Sequence, residues 1–119
     1  MANPNIVDVT NIYGNTGVLN VTTSATAIVS NSGGSGKVYK VNMLSINNID
    51  ASNSANVTVD LYRGSTAYNI TTNLTVSVNT AFTPIDKTLG LYLLEGDALR
   101  LTANANSRLT AICSWEEIS

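Results

Sequence analysis

The chain has 119 residues, of which 44% are hydrophobic and 12% are charged, and its net charge is −2. Its six lysines and arginines are scattered along the chain, whereas phosphate backbones require clustered cations, so the composition disfavours nucleic-acid binding. There is no histidine and only one cysteine, so one chain cannot form a Cys–His or Ser–His catalytic pair. No stretch approaches the length of about 18 apolar residues that a membrane-spanning helix needs.

The first predicted element is an extended strand or arm over residues 5–13, within an N-terminal segment that we place at residues 1–15. Residues 14–17 (GNTG) follow, and this composition is typical of a turn. Nine extended residues reach roughly 30 Å, far enough to contact a neighbouring chain. We therefore predict protein contacts from the apolar and aromatic side chains of this arm, which are Ile6, Val7, Val9, Ile12 and Tyr13.

Two short strands are expected next, over residues 18–23 and 25–30. Residues 31–36 follow, and because Gly and Ser neither fix the backbone nor bury much surface, we expect an exposed loop there. A second loop, rich in Asn and Ser, is predicted over residues 50–55.

The longest predicted strand lies between these loops, over residues 37–49. Its apolar phase slips, because Val41 and Met43 share one face whereas Leu44 and Ile46 share the other. One extra residue in a strand moves every following side chain to the opposite face. We therefore expect a β-bulge, or a bend between two sheets, within this strand.

The segment after the second loop is predicted to form further strands. Residues 56–63 alternate cleanly and end at a turn over residues 63–66. Residues 67–79 alternate for most of their length, and a turn near Thr72–Asn73 would divide them into two strands. Residues 82–84 are expected to interrupt the sheet, because proline cannot donate to a central ladder.

Three strands over residues 89–93, 98–103 and 109–116 complete the series. About eight strands spaced 8 to 12 residues apart predict one all-β domain over residues 1–119, an antiparallel β-sandwich with jelly-roll or Greek-key connections. Alternating positions on one side of these strands are apolar, as expected for half-buried sheet. The predicted core set is Val57, Val59, Leu61, Leu74, Val76, Val78, Leu89, Leu91, Leu93, Leu99, Leu101, Ala103, Leu109 and Ala111.

Few residues are candidates for chemistry. Glu95 and Asp97 flank Gly96, but no Asp-x-Asp-x-Asp-Gly calcium loop is present, so a solvated turn is favoured. Cys113 shares its parity with Leu109 and is interpreted as a small core residue. The usual nucleophile, base and metal groupings are missing from the sequence, so we expect no enzymatic activity, no metal and no cofactor.

Aromatic side chains are better candidates for a functional surface, since their flat apolar rings with a polar tip suit protein and sugar contacts. Tyr62 and Tyr92 lie at polar positions of their strands and are expected to be exposed, and Trp115 is a third candidate. The alternative is that these rings pack under a loop or against an adjacent strand.

Five parts of the sequence resemble small virion structural proteins of tailed phages, especially phages of marine cyanobacteria. They are 1–14 (MANPNIVDVTNIYG), 37–41 with 46–48 (KVYKV and INN), 57–62 (VTVDLY), 94–101 (LEGDALRL) and 114–119 (SWEEIS). None of them is a catalytic motif.

The resemblance implies a place in the virion, which is assembled in the host cytoplasm. A capsid decoration or cement protein, bound to the major capsid protein or other virion proteins as a homo-oligomer, is the first expectation, with a trimer as one candidate. A neck, tail or fibre component that binds a host glycan or protein is the alternative, and a lectin-like module without a particle is the third.

Overall fold

The computed structural model describes Asp8 and residues 10–119. These residues form an all-β structure. The strands are β1 (Ile12–Val21), β2 (Thr26–Ser30), β3 (Val38–Asn48), β4 (Ala55–Arg63), β5 (Thr66–Val76), β6 (Ala81–Ile85), β7 (Leu91–Leu93), β8 (Ala98–Ala103) and β9 (Leu109–Ile118). Within the described part of the chain, no helix is long and apolar enough to cross a membrane.

The strands form two antiparallel sheets that pack as a sandwich. One sheet has the order β1-β9-β3-β6, with β7 also paired to β3, and the other has the order β2-β8-β4-β5. Because β6 and β7 pair with different parts of β3, they act as two pieces of one interrupted strand. Counted this way, eight strands have the order of a jelly roll. The predicted antiparallel sandwich is confirmed, with nine strands in place of about eight.

The core lies between the two sheets and mostly follows the predicted alternation. The buried members of the predicted set are Val57, Val59, Val76, Leu93, Leu99, Leu101, Ala103, Leu109 and Ala111, and Cys113 is buried with them. Two predicted members are exposed, Leu74 at 38% and Leu89 at 65%. Leu74 lies on the edge strand β5, which has no further strand beside it, and Leu89 lies in a turn where its N–H donates to Asp86, so both side chains stay partly open to solvent.

The predicted phase slip in β3 is confirmed as a bulge. The register of β3 against β9 shifts between Val41 and Met43. Val41 and Leu44 are both completely buried although they are three positions apart, which uninterrupted alternation does not allow.

The turn predicted over residues 14–17 is wrong, because these residues lie within β1 and pair with β9. Packing against Trp115 explains why position 17 needs a glycine. A Cβ on Gly17 would lie 3.0 Å from two ring carbons of Trp115, so the missing side chain makes room for the indole. The glycine that suggested a turn therefore serves packing between residues far apart in sequence.

Two further boundaries differ from the prediction. No turn divides β5 near Thr72–Asn73, where the strand continues. Its register against β4 shifts twice, and Asn73 has a positive φ of 49°. Residues 82–84 do not interrupt the sheet but lie in β6. Pro84 is tolerated because β6 is an edge strand whose register shifts opposite β3.

The loop predicted over residues 31–36 is present, but its first residue is not exposed. Asn31 is 1% exposed, and its Nδ2 donates to the carbonyls of Lys37 and Leu93 at 2.8 and 3.1 Å. Ser35 donates to Oδ1 of Asn31 at 2.6 Å. This buried amide therefore anchors the loop to the end of β7.

Candidate functional site

The side chains predicted to contact other proteins do not converge on one patch. Ile6, Val7 and Val9 lie outside the described residues. Ile12 and Tyr13 begin β1 and are 56% and 60% exposed. Because successive side chains of a strand point to opposite faces, these two residues lie on different faces of the same sheet.

Two of the candidate aromatic rings are engaged within the chain. The guanidinium carbon of Arg100 lies 3.9 Å from the ring centroid of Tyr62, so one face of this half-buried ring is covered. Trp115 packs against the core and over Gly17, and its Nε1 is buried without a hydrogen-bond partner among the described residues. Tyr92, opposite Lys40 in the register of β3 and β7, is 43% exposed.

A surface other than the predicted contact residues is more suitable for docking a partner protein. Residues that are opposite in register share a face. Val18 pairs with Ile112, which pairs with Ser45, and the same rule applies to the rows on either side. The outer side of the five-stranded sheet therefore presents three rows of three uncharged residues, which we call the neutral face: Thr16, Ser114 and Met43; Val18, Ile112 and Ser45; Asn20, Thr110 and Asn47.

The neutral face exposes apolar side chains at its centre. Val18 is 77% exposed and Ile112 is 46% exposed. A depression of about 300 Å³ lies beside them and is also lined by Asn20 and Thr110. Sequence alternation could not reveal this face, because Val18 and Ile112 belong to strands that are 94 positions apart and meet only through the β1–β9 pairing.

Most cations of the chain are neutralised internally. Among the described residues, four of the six form ion pairs with carboxylates of the same chain. On the outer side of the four-stranded sheet, Nε of Arg100 lies 2.9 Å from Oδ1 of Asp60, which is 3% exposed. The remaining pairs are Lys37–Glu117, Arg63–Asp97 and Arg108–Asp50.

The turn at residues 95–97 is not solvated as predicted, since Glu95 and Asp97 are only 6% and 2% exposed. Arg63 donates to both carboxylate oxygens of Asp97, at 2.8 and 2.6 Å, and the Leu94 N–H donates to it at 2.8 Å. Burial alone would raise the pKa of Asp97, but these hydrogen bonds hold it below its ordinary value. The Gly36 N–H donates to Glu95 at 2.6 Å.

This arrangement is a structural clamp. It ties the loop after β2 and the end of β4 to the turn before β8, and each carboxylate has partners that offset its desolvation. The clamp was not predictable from the sequence, because Arg63 and Asp97 are 34 positions apart. Nothing in the spacing of these two residues indicates that they meet.

The thiol is positioned as the sequence analysis expected. Cys113 is 0% exposed in the core, and burial raises its pKa to about 12. A thiol with so high a pKa is protonated at neutral pH and is a poor nucleophile. Within the described residues, no group of three or more Cys, Asp or Glu side chains could hold a metal ion.

No protein-family model matches this chain, and no curated protein matches it. One similar solved structure is described as the crystal structure of a pentameric capsid protein isolated from metagenomic phage sequences. It has a TM-score of 0.46 and 21% sequence identity, and the match covers 87% of this chain and 60% of that protein. The chain thus spans less than two thirds of that protein's length.

Proposed function

We propose that the chain is a structural protein of a tailed-phage virion, and that it decorates the outside of the shell formed by the major capsid protein. The observation that carries the proposal is the neutral face, with Val18 and Ile112 exposed at its centre. The resemblance of the five sequence stretches to virion proteins supports the same role. Jelly rolls are common among viral capsid proteins and lectins, so the strand order is compatible with both this role and the host-binding alternative.

The neutral face suits a protein partner for a physical reason. Covering a charged side chain requires its desolvation, which costs several kcal/mol unless a partner charge is supplied. The centre of a protein interface is accordingly depleted of charge. On this face the first charged residues on β3 and β9 are Lys40 and Glu116, which lie beyond the row of Thr16, Ser114 and Met43. A partner can therefore cover the nine residues without burying a charge.

Shell decoration is favoured over glycan binding by the arrangement of the aromatic residues. A sugar-binding site usually offers an exposed ring face. Here Arg100 covers Tyr62, Trp115 packs inward, and Tyr13 and Tyr92 lie on opposite faces of their sheet. These four side chains therefore do not form a joint platform for a sugar.

The mechanism of decoration is mass action. A protein that binds only the assembled shell shifts the equilibrium away from disassembly by RT ln(1 + [L]/Kd) per site. No cofactor and no catalytic step are required. We include in this proposal contacts of the apolar and aromatic side chains of residues 1–15 with a neighbouring chain, which would support a homo-oligomer on the shell.

The test uses shells from the phage that encodes this chain, prepared from a strain in which the gene is disrupted. The purified protein is added back, and binding is measured by co-sedimentation together with the melting temperature of the shell. We expect saturable binding at hundreds of sites and a higher melting temperature, because each bound copy stabilises the assembled state.

Matched variants localise the contact. Ile112→Asp places a charge at the centre of the neutral face and should abolish binding. Thr102→Asp places the same charge on the outer side of the other sheet, where Thr102 pairs with Thr58, and should leave binding intact. Absence of wild-type binding to the shell would contradict the proposal, and binding only to isolated necks or tails would favour the alternative.

A further inference from the structure

The edge strands of the two sheets differ in how well they are protected from pairing with another chain. Free edges invite pairing with other chains, and proteins usually blunt them with short strands, bulges, proline or charge. β2 has five residues and a register shift, and β5 has two register shifts against β4. On the side of β3 away from β9, β6 has five residues including Pro84 and β7 has three.

β1 has none of these features. It runs for ten residues, pairs with β9 without a register shift, and contains no charged residue. Within residues 10–119, no strand pairs with its other side. β1 therefore presents a long, regular and neutral row of backbone groups.

We propose that β1 pairs with β1 of a second copy of this chain, antiparallel, about a twofold axis at Thr16. An axis perpendicular to the sheet keeps both neutral faces on one side, since it opposes residues of the same parity. Thr16 then faces its own copy, Val18 faces Gly14, and Asn20 faces Ile12.

The side chains complement one another in this register. Val18 is 77% exposed, and a Cβ on Gly14 would meet no atom within 4 Å, so the space over Gly14 can receive Val18 of the second copy. Thr–Thr pairs are favourable across strands. A twofold axis places like residues near each other, so a charged strand would repel itself, whereas β1 does not.

The contact is expected to depend on concentration. Ten strand residues at about 3.3 Å each give a strip roughly 33 Å long and about 10 Å wide, less than half of the about 800 Å² per partner in a standard interface. The ladder nevertheless supplies on the order of ten backbone hydrogen bonds, as many as a typical interface has. Closely spaced copies on a shell would favour the dimer, because their effective concentration is high.

The experiment is sedimentation velocity over a concentration series reaching the millimolar range. We expect the wild-type protein to approach twice the mass of one chain. Thr16→Lys and Thr16→Glu should each be monomeric, because each places like charges across the axis, and an equal mixture of the two should again form dimers. Ala27→Lys, on the blunted edge β2 where Ala27 is exposed, is the matched control and should dimerise like the wild type.

In sedimentation, the proposal is overturned by a wild-type protein that stays monomeric, by a mixture of the two charged variants that stays monomeric, or by a control as impaired as the charged variants. Far-ultraviolet circular dichroism checks that each variant is folded. Hydrogen exchange on the wild type needs no variant: amides of β1 should become protected as concentration rises, and equal exchange at all concentrations contradicts the pairing. Failure of shell binding with intact dimerisation would reject only the proposed function.

Discussion

Replacing Asn48 by aspartate tests the interior of the sandwich with almost no change of shape. Asn48 is 1% exposed, and its Nδ2 donates to the carbonyls of Asn53 and Val76, both at 3.0 Å. Its Oδ1 accepts from the Asp50 N–H at 2.8 Å. In Asn48→Asp the two donated hydrogen bonds are lost, and a carboxylate oxygen faces two carbonyl oxygens.

The size of the effect follows from these contacts. Each lost hydrogen bond costs about 1 kcal/mol, and an ionised carboxylate buried with one donor costs several kcal/mol more. The pKa of the new carboxyl is therefore raised in the folded state. Below about pH 4 both states are protonated, and because the protonated carboxyl can donate to one of the two carbonyls, the loss of about one hydrogen bond remains. Above that pH, the free energy of unfolding falls by about 1.4 kcal/mol per pH unit until the folded state also ionises.

The assay is urea denaturation of the wild type and the variant from pH 3.5 to pH 7, with Asn47→Asp as control. Asn47 is adjacent in sequence and exposed, so the same substitution there should change stability little. A deficit of Asn48→Asp that stays constant with pH, or that Asn47→Asp reproduces, would refute the reasoning.

Three further predictions concern stability. Gly17→Val should lower the free energy of unfolding by about 1–3 kcal/mol, because the new side chain overpacks against Trp115. It should also shift the fluorescence emission of Trp115, the one tryptophan of the chain, and unchanged fluorescence would contradict the prediction. The lowered pKa of Asp97 stabilises the fold above about pH 4, and this contribution is lost as pH falls through the pKa of the folded state. In Asp97→Asn the free energy of unfolding should therefore fall less steeply with decreasing pH than in the wild type. The same pH dependence in both proteins would argue against this. Leu101→Ala, at a 0% exposed core position, should cost about 2–5 kcal/mol in denaturant unfolding, and Leu74→Ala much less; equal losses contradict the assigned core.

The strands were largely predictable because alternation is a local property. Residues 56–63, 98–103 and 109–116 are strands in the structure as their alternation indicated, and so is the bulged β3. The phase slip at Val41–Met43 was visible because it changes which side chains are apolar, and burial depends directly on that.

The sequence-based predictions were wrong where the role of a residue depends on a contact with a residue far away in the sequence. Gly17 indicates a turn in the sequence but accommodates Trp115 from the neighbouring strand. Asn31 was predicted in an exposed loop, yet it is buried because the carbonyls of Lys37 and Leu93 accept from its amide. Such pairings depend on the strand order, which a period of two does not encode.

The candidate surface was less predictable than the fold. Exposed aromatic residues were the natural sequence-based choice, and Tyr92 is indeed 43% exposed, but Arg100 covers Tyr62. The neutral face is produced by three strands that are distant in sequence, so only the register of β1, β9 and β3 brings its rows together.

The most direct test of the central claim is the number of copies of this chain per virion, measured against the major capsid protein by quantitative mass spectrometry of purified particles. A shell-decorating protein is predicted to be present in hundreds of copies, in a fixed ratio to the capsid protein. A handful of copies per particle, or none, would contradict the account.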